Sequence, residues 1–195
     1  MRGDDRPWRR VWSLSSERDL WALERVLLGH DGSMTNLLEL VFGQDIELKT
    51  IRQEVVRSPL AAARRLQISQ GDPVNDREIL LVLKADATPL LYARSFTPLS
   101  RLEPAFKADL LRADIPIGHI LQAHKIESRR TLLSAGYRAS SRRMQRLLCD
   151  PGPYLWRTYN ILAKGKPLIT ITETFSLRPF RELCREEVKT CPGGQ

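Results

Sequence analysis

Four charged residues sit where a strand should carry only apolar ones. Side chains on a β-strand alternate between faces, so residues two apart share a face. In the segment PLITITETFSL, Glu173 falls in register with Ile169, Ile171 and Phe175. Arg77 falls in register with Ile79, Leu81 and Leu83. Arg94 shares a face with Tyr92 and Phe96, and Arg157 with Leu155, Tyr159 and Ile161. A carboxylate or guanidinium buried without a partner is costly, so such groups need a counter-charge, a shifted pKa or a ligand. Arginine forks suit carboxylates through two parallel hydrogen bonds. A shielded glutamate is suited to moving a proton. Local rules that fail together often mark a functional site, and the chemistry these four residues could do is recognition and proton transfer on an anionic small molecule. The structural alternatives are a Glu173 near a strand end with its head in water or paired to a structural arginine, a solvent-facing Arg77 at the start of its strand, and arginine stems of Arg94 and Arg157 that merely cover apolar surface.

Other chemistries find no support. The chain has no GxSxG, HExxH, P-loop or GxGxxG motif. His30, His119 and His124 lack the helical i, i+4 spacing of a metal pair, and Cys149, Cys184 and Cys191 lack CxxC spacing. No metal site is expected. Three sparse cysteines also fit reduced thiols and a cytoplasmic location. No apolar run approaches a membrane span, and MRGDDRPWRR lacks the apolar core of a secretory signal. The net charge is +8. The densest basic stretch, Arg129, Arg130, Arg138, Arg142, Arg143 and Arg146, holds one aromatic, Tyr137, and no helix-turn-helix pattern, so a nucleic-acid partner is not expected.

The elements that must position these residues follow from periodicity and turn chemistry. Ser15 or Ser16 caps a helix reaching about Leu28 and stopped by Gly29. Ser33 or Thr35 caps a second, closing at Gly43. Residues 46–57 alternate as a strand, and 59–68 form a short helix or loop. Residues 77–84 and 89–97 flank a hairpin connection, with Pro98 ending the second strand. Ser100 begins a short helix around 102–111. Residues 116–148 read as helical in pieces, interrupted by Gly118 and Gly136. Residues 154–163 and 167–177 flank Lys164-Gly165-Lys166 as a last hairpin. Residues 1–12 and 181–195 read as loose ends of a single domain spanning 1–195. Hairpin-linked strands with segregated helices predict an α+β fold on an antiparallel sheet.

Five segments, in order, resemble one family. GSMTNLLE at 32–39, DREILL at 76–81, ARSFTP at 93–98, IPIGHIL at 115–121 and GKPLITITETF at 165–175 are similar to the chorismate pyruvate-lyase superfamily. The resemblance spans about residues 20–180. It implies one antiparallel sheet of about six strands, helices packed on it and an enclosed ligand pocket. It implies elimination of pyruvate from chorismate to leave 4-hydroxybenzoate, with no metal or organic cofactor. The family's pocket arginine falls on Arg77 and its pocket glutamate on Glu173, giving both as catalytic. Backbone groups at Met34 and Ile117 would hold the product's carboxylate. Arg94 and Arg157 match further arginines as substrate-binding. The Pro167 to Glu173 segment is one residue longer than in the ubiquinone-pathway enzymes and agrees better with a divergent branch that includes a mycobacterial 4-hydroxybenzoate-forming enzyme. Residues 124–153 match little. Product isomer, pathway and oligomeric state stay open.

The second reading is a non-catalytic domain of the same fold that binds an aromatic carboxylate, as effector domains of transcriptional regulators do. Such domains normally follow a winged-helix DNA-binding domain. About 15 residues precede the first helix here, too few for one, and a pocket carboxylate would be odd in an anion sensor.

Overall fold

The computed structural model describes Val11 and residues 20–112 and 115–190. Its centre is one six-stranded antiparallel sheet: β1 (Ile46–Arg57), β2 (Pro73–Leu83), β3 (Pro89–Pro98), β4 (Ser128–Arg138), β5 (Tyr154–Ala163) and β6 (Lys166–Phe175), in the spatial order β1-β2-β3-β6-β5-β4. Among the described residues seven helices accompany it: α1 (Ala22–Gly29), α2 (Met34–Phe42), α3 (Leu60–Leu66), α4 (Pro104–Leu111), α5 (Ile117–Ala123), α6 (Arg142–Leu148) and α7 (Arg178–Thr190). No described helix is long and apolar enough to cross a membrane.

Local chemistry sets the boundaries. The Ser33 side chain accepts from the Asn36 backbone N–H and caps α2, and Gly43 ends it in the left-handed region at φ 64°. Lys164 and Gly165 take φ of 49° and 74°. Two left-handed residues form the turn whose twist matches that of the flanking strands, and this fixes the β5–β6 register. The expected Ser15 or Ser16 cap lies outside the described residues.

The main core lies on the face shared by Leu81, Leu91, Ala93, Ile171 and Phe175, against Leu27, Leu28, Leu38, Phe106, Leu110 and Ile120 from the helices. A smaller cluster of Tyr92, Met144, Leu148 and Tyr154 closes the other face under α6. The central strands are thus covered on both sides. That erases the apolar–polar alternation which would reveal the pocket face.

Two expectations are corrected. Residues 128–138 form strand β4, not helix. It is an edge strand, half exposed, with a register shift between Leu132 and Ser134 that breaks its alternation. Gly136 opposes Trp156, where a Cβ would lie 3.4 Å from the indole nitrogen. Gly118 lies inside helix α5. The expected loose tail from Arg181 instead continues α7 to Thr190. Phe180 anchors this helix, with its ring 5.1 Å from that of Phe42. One apolar stripe of few residues was too sparse to read as periodicity. Strand β2 also begins earlier than expected, at Pro73, and a 3₁₀ turn, Leu99–Arg101, precedes α4.

Candidate active site

Strand register decides which charges meet. Arg77 on β2 pairs with Ser95 on β3, and Glu173 on β6 pairs with Ala93. Ala93 and Ser95 are two apart and share a face. Arg77 and Glu173 therefore stand on the same face, two strands apart and offset by two residues, roughly 12 Å between Cα atoms from ideal sheet spacings. The small side chains of Ala93 and Ser95 leave room between them. A cavity of about 80 Å³ occupies that space, lined also by Met34, Ile117, Tyr159 and Ile171.

At one end, the Arg77 head is 2 % exposed and donates from Nη1 to the Ile115 carbonyl at 2.8 Å. Met34 is the first residue of α2 and Ile117 the first of α5. Backbone N–H groups in a helix's first turn have no intrahelical acceptor and favour anions. Two such turns and a guanidinium thus converge on one wall. Such an arrangement can accept a carboxylate.

At the other end, Glu173 is 3 % exposed. Its Oε2 accepts from Arg157 Nε at 2.6 Å, and its Oε1 accepts from the Tyr159 hydroxyl at 2.9 Å. A carboxylate has about four acceptor positions, so two remain for a ligand. Arg157 is itself held by donation from Nη1 to the His30 carbonyl at 2.6 Å and the Leu28 carbonyl at 3.3 Å. Burial works against the Arg157 charge, but Glu173 and Tyr159 outweigh it and raise its pKa. Burial first, and the Glu173 charge second, push the Tyr159 phenol well above its ordinary range. Tyr159 therefore stays a hydrogen-bond donor at any working pH.

The structure brings Arg77, Glu173, Met34 and Ile117 to one cavity and sets Arg157 directly behind Glu173. Arg94 is a correction. It does share a face with Tyr92 and Phe96, but that face points away from the cavity. Arg94 grips Asp76 there with Nε at 2.9 Å and Nη2 at 2.7 Å. Because β3 is covered on both faces, an aromatic register did not identify the pocket side. Asp76 and Glu78, each 1 % exposed, anchor a network with Arg52, Arg94 and Arg143. Burial disfavours the Glu78 carboxylate, yet hydrogen bonds from Tyr92 and Arg52 and the charge of Arg143 hold its pKa below the usual range.

That shift has a testable consequence for stability. A depressed carboxylate pKa contributes stability that is present above the unfolded value, ~4.3, and is lost as pH falls through the lower folded value. Glu78→Gln is expected to cost about 1–2 kcal/mol at neutral pH, discounted because Arg52 and Arg143 are more than a third exposed. Melting curves should show a drop of roughly 2–8 °C at pH 7 that closes below about pH 4. An unchanged melting temperature at pH 7 would show the network to be energetically silent.

Tyr159 and Arg130 also line the site. Tyr159 was visible in register with Arg157, but only as part of an apolar face. Arg130 was hidden by the helical reading of 116–148. Among the described residues, no group of three or more His, Cys, Asp or Glu side chains could hold a metal ion.

The sheet and its helices define a fold already known among solved structures. The effector domain of PhnF from Mycobacterium smegmatis superposes with a TM-score of 0.61 at 14% identity, covering 74% of this chain and 88% of that one. The ligand-binding domain of a Bordetella bronchiseptica protein provisionally assigned as a GntR-family transcriptional regulator gives 0.55 at 17% identity, covering 67% and 85%. At these identities the fold alone is shared. The sequence is more specific: residues 27–182 match the Rv2949c-like chorismate pyruvate-lyase family, and the chain belongs to it. The MJ0807 protein of Methanocaldococcus jannaschii, whose own lyase assignment is provisional, is 36% identical over 177 residues, covering 88% of this chain and 87% of that protein. The chorismate pyruvate-lyase of Mycobacterium leprae is 26% identical over 189 residues, covering 90% and 82%.

Proposed function

We propose that this protein eliminates pyruvate from chorismate and releases 4-hydroxybenzoate. The observation that carries this is the pairing, across one small cavity, of a carboxylate-binding end built on Arg77 with the buried Glu173–Tyr159–Arg157 cluster. The ring carboxylate of chorismate fits the first end. The ring hydroxyl at C4 then faces Glu173.

In the reaction the C3–O bond breaks and its electron pair leaves with the enolpyruvate oxygen. The proton on C4 departs, the ring becomes aromatic, and a proton reaches the enolpyruvate carbon to give pyruvate. Aromatisation supplies the driving force, so the protein mainly positions and polarises. Glu173 is placed to accept a hydrogen bond from the C4 hydroxyl and to assist proton movement beside the breaking ether. Arg157 balances its charge, and the Tyr159 phenol fixes its orientation. Every step uses side chains of this chain and no cofactor.

The regulator-like fold favours a second reading, in which the cavity binds an aromatic carboxylate without converting it. Pyruvate release separates the two. We expect the purified protein, incubated with chorismate and a metal chelator, to release pyruvate continuously. Activity that vanishes on chelation and returns with added metal would overturn the cofactor-free mechanism. Tight binding of 4-hydroxybenzoate with no pyruvate would favour the binder.

A further inference from the structure

Chorismate carries two carboxylates, and the Arg77 end of the cavity accounts for one. The second belongs to the enolpyruvyl group at C3, next to the C4 hydroxyl. If C4 faces Glu173, as the proposed function has it, the leaving group must lie beside Glu173. A second cavity, of about 140 Å³, is found there. We propose that this cavity, walled by His30, Arg130, Leu132, Arg157 and Tyr159, is the subsite for the enolpyruvyl carboxylate and for pyruvate as it departs.

Three observations support the assignment. The two cavities adjoin, because Arg130 and Tyr159 line both. Two guanidiniums face the second cavity, Arg130 and Arg157. Asp31 also lines this cavity and Glu173 balances Arg157 from the far side, so the fit to a small carboxylate rests on the two guanidinium forks and not on a net positive charge. Donor capacity is also left over. Arg157 is 2 % exposed, and its Nη2 is buried with no hydrogen-bond partner among the described residues, while Nε and Nη1 are engaged. Arg130 Nε is buried without a partner in the same way, while its Nη1 donates to the Asp31 carbonyl at 2.7 Å. Buried guanidinium nitrogens are rarely left without an acceptor. A bound carboxylate would supply one. It would also place positive charge beside the oxygen on which the electron pair of the C3–O bond collects.

The bond from Arg130 to Asp31 offers a competing account, in which Arg130 only braces the loop between α1 and α2. The test must therefore read the ligand. Arg130→Ala in the full chain is expected to raise the KM for chorismate roughly 10- to 100-fold, the loss of a charge-assisted contact. Affinity for 4-hydroxybenzoate, which lacks the second carboxylate, should change less than about threefold on the same reasoning. Pyruvate should compete with chorismate in the parent, and that inhibition should weaken in the variant. Leu132→Phe, which narrows the second cavity and leaves the first intact, should reproduce the split. Equal weakening of chorismate and 4-hydroxybenzoate, or pyruvate that does not compete in the parent, would overturn the subsite. A parent that fails to turn over chorismate defeats the functional reading instead. In that event saturation-transfer NMR with pyruvate still decides the subsite: a signal lost in Arg130→Ala supports it, and no signal in the parent removes it.

Discussion

Glu173→Gln is expected to lower kcat by roughly 10²–10⁴-fold, the range typical of general acid–base assistance. Glutamine keeps the shape of the side chain and one oxygen acceptor, but it cannot take a proton. Register alone suggests that the fold and ligand affinity survive this change. The structure adds a cost. Glu173 is the counter-ion of Arg157, which is buried and held by the carbonyls of α1 and the loop after it. Removing one partner of a buried ion pair typically destabilises by about 3–5 kcal/mol. The variant should therefore melt earlier, and its kinetics belong well below its own transition. Glu173→Asp keeps the charge and separates the two effects: it should recover much of the stability while the shorter side chain still slows turnover. Full kcat in Glu173→Gln would mean that Glu173 plays no chemical part, and that positioning alone accounts for the rate.

Arg77→Ala should act on binding. It removes a guanidinium from a cavity wall that it shares with the first turns of two helices. Truncating one member of a buried charge-assisted pair typically costs about 2–5 kcal/mol. The Kd for 4-hydroxybenzoate should therefore rise between about 30-fold and several thousand-fold. Residual affinity is expected from the amides near Met34 and Ile117. The variant also leaves the Ile115 carbonyl without its 2.8 Å donor, so a modest loss of stability should accompany the change. Titration calorimetry beside a melting curve reads both. Unchanged affinity would place the carboxylate elsewhere and dissolve the polarity assigned to the cavity.

How far the sequence alone reached depended on alternation. Glu173 and Arg77 broke a clear pattern on strands flanked by readable turns, and both side chains are buried at one cavity. Arg94 broke the same kind of pattern and faces the other way. Both faces of β3 are covered, one by the main core and one by α6, so an apolar register there says nothing about direction. Residues 46–57 and 154–163 were legible as strands because the residues before each register shift, at Thr50/Arg52 and at Ile161/Leu162, alternate. Strand β4 was not, because an edge strand carrying Arg129, Arg130 and Arg138 with a mid-strand register shift has no clean period. The misreading hid Arg130, which needs a strand to reach the cavities. Met34 and Ile117 came from family resemblance. The contribution proposed for them is backbone N–H, and no side-chain pattern announces it. The helix caps at Ser33 and Gly43 were legible because cap chemistry is local.

The central claim is that this cavity carries out an aromatising elimination and does not merely hold an aromatic acid. The most direct test is to incubate the purified chain with chorismate and chelator, separate the products by chromatography and measure pyruvate in the same samples. The account predicts 4-hydroxybenzoate and pyruvate accumulating in equal amounts over many turnovers, with both slowed in Glu173→Gln. Chorismate recovered intact by a protein that still binds 4-hydroxybenzoate would contradict it.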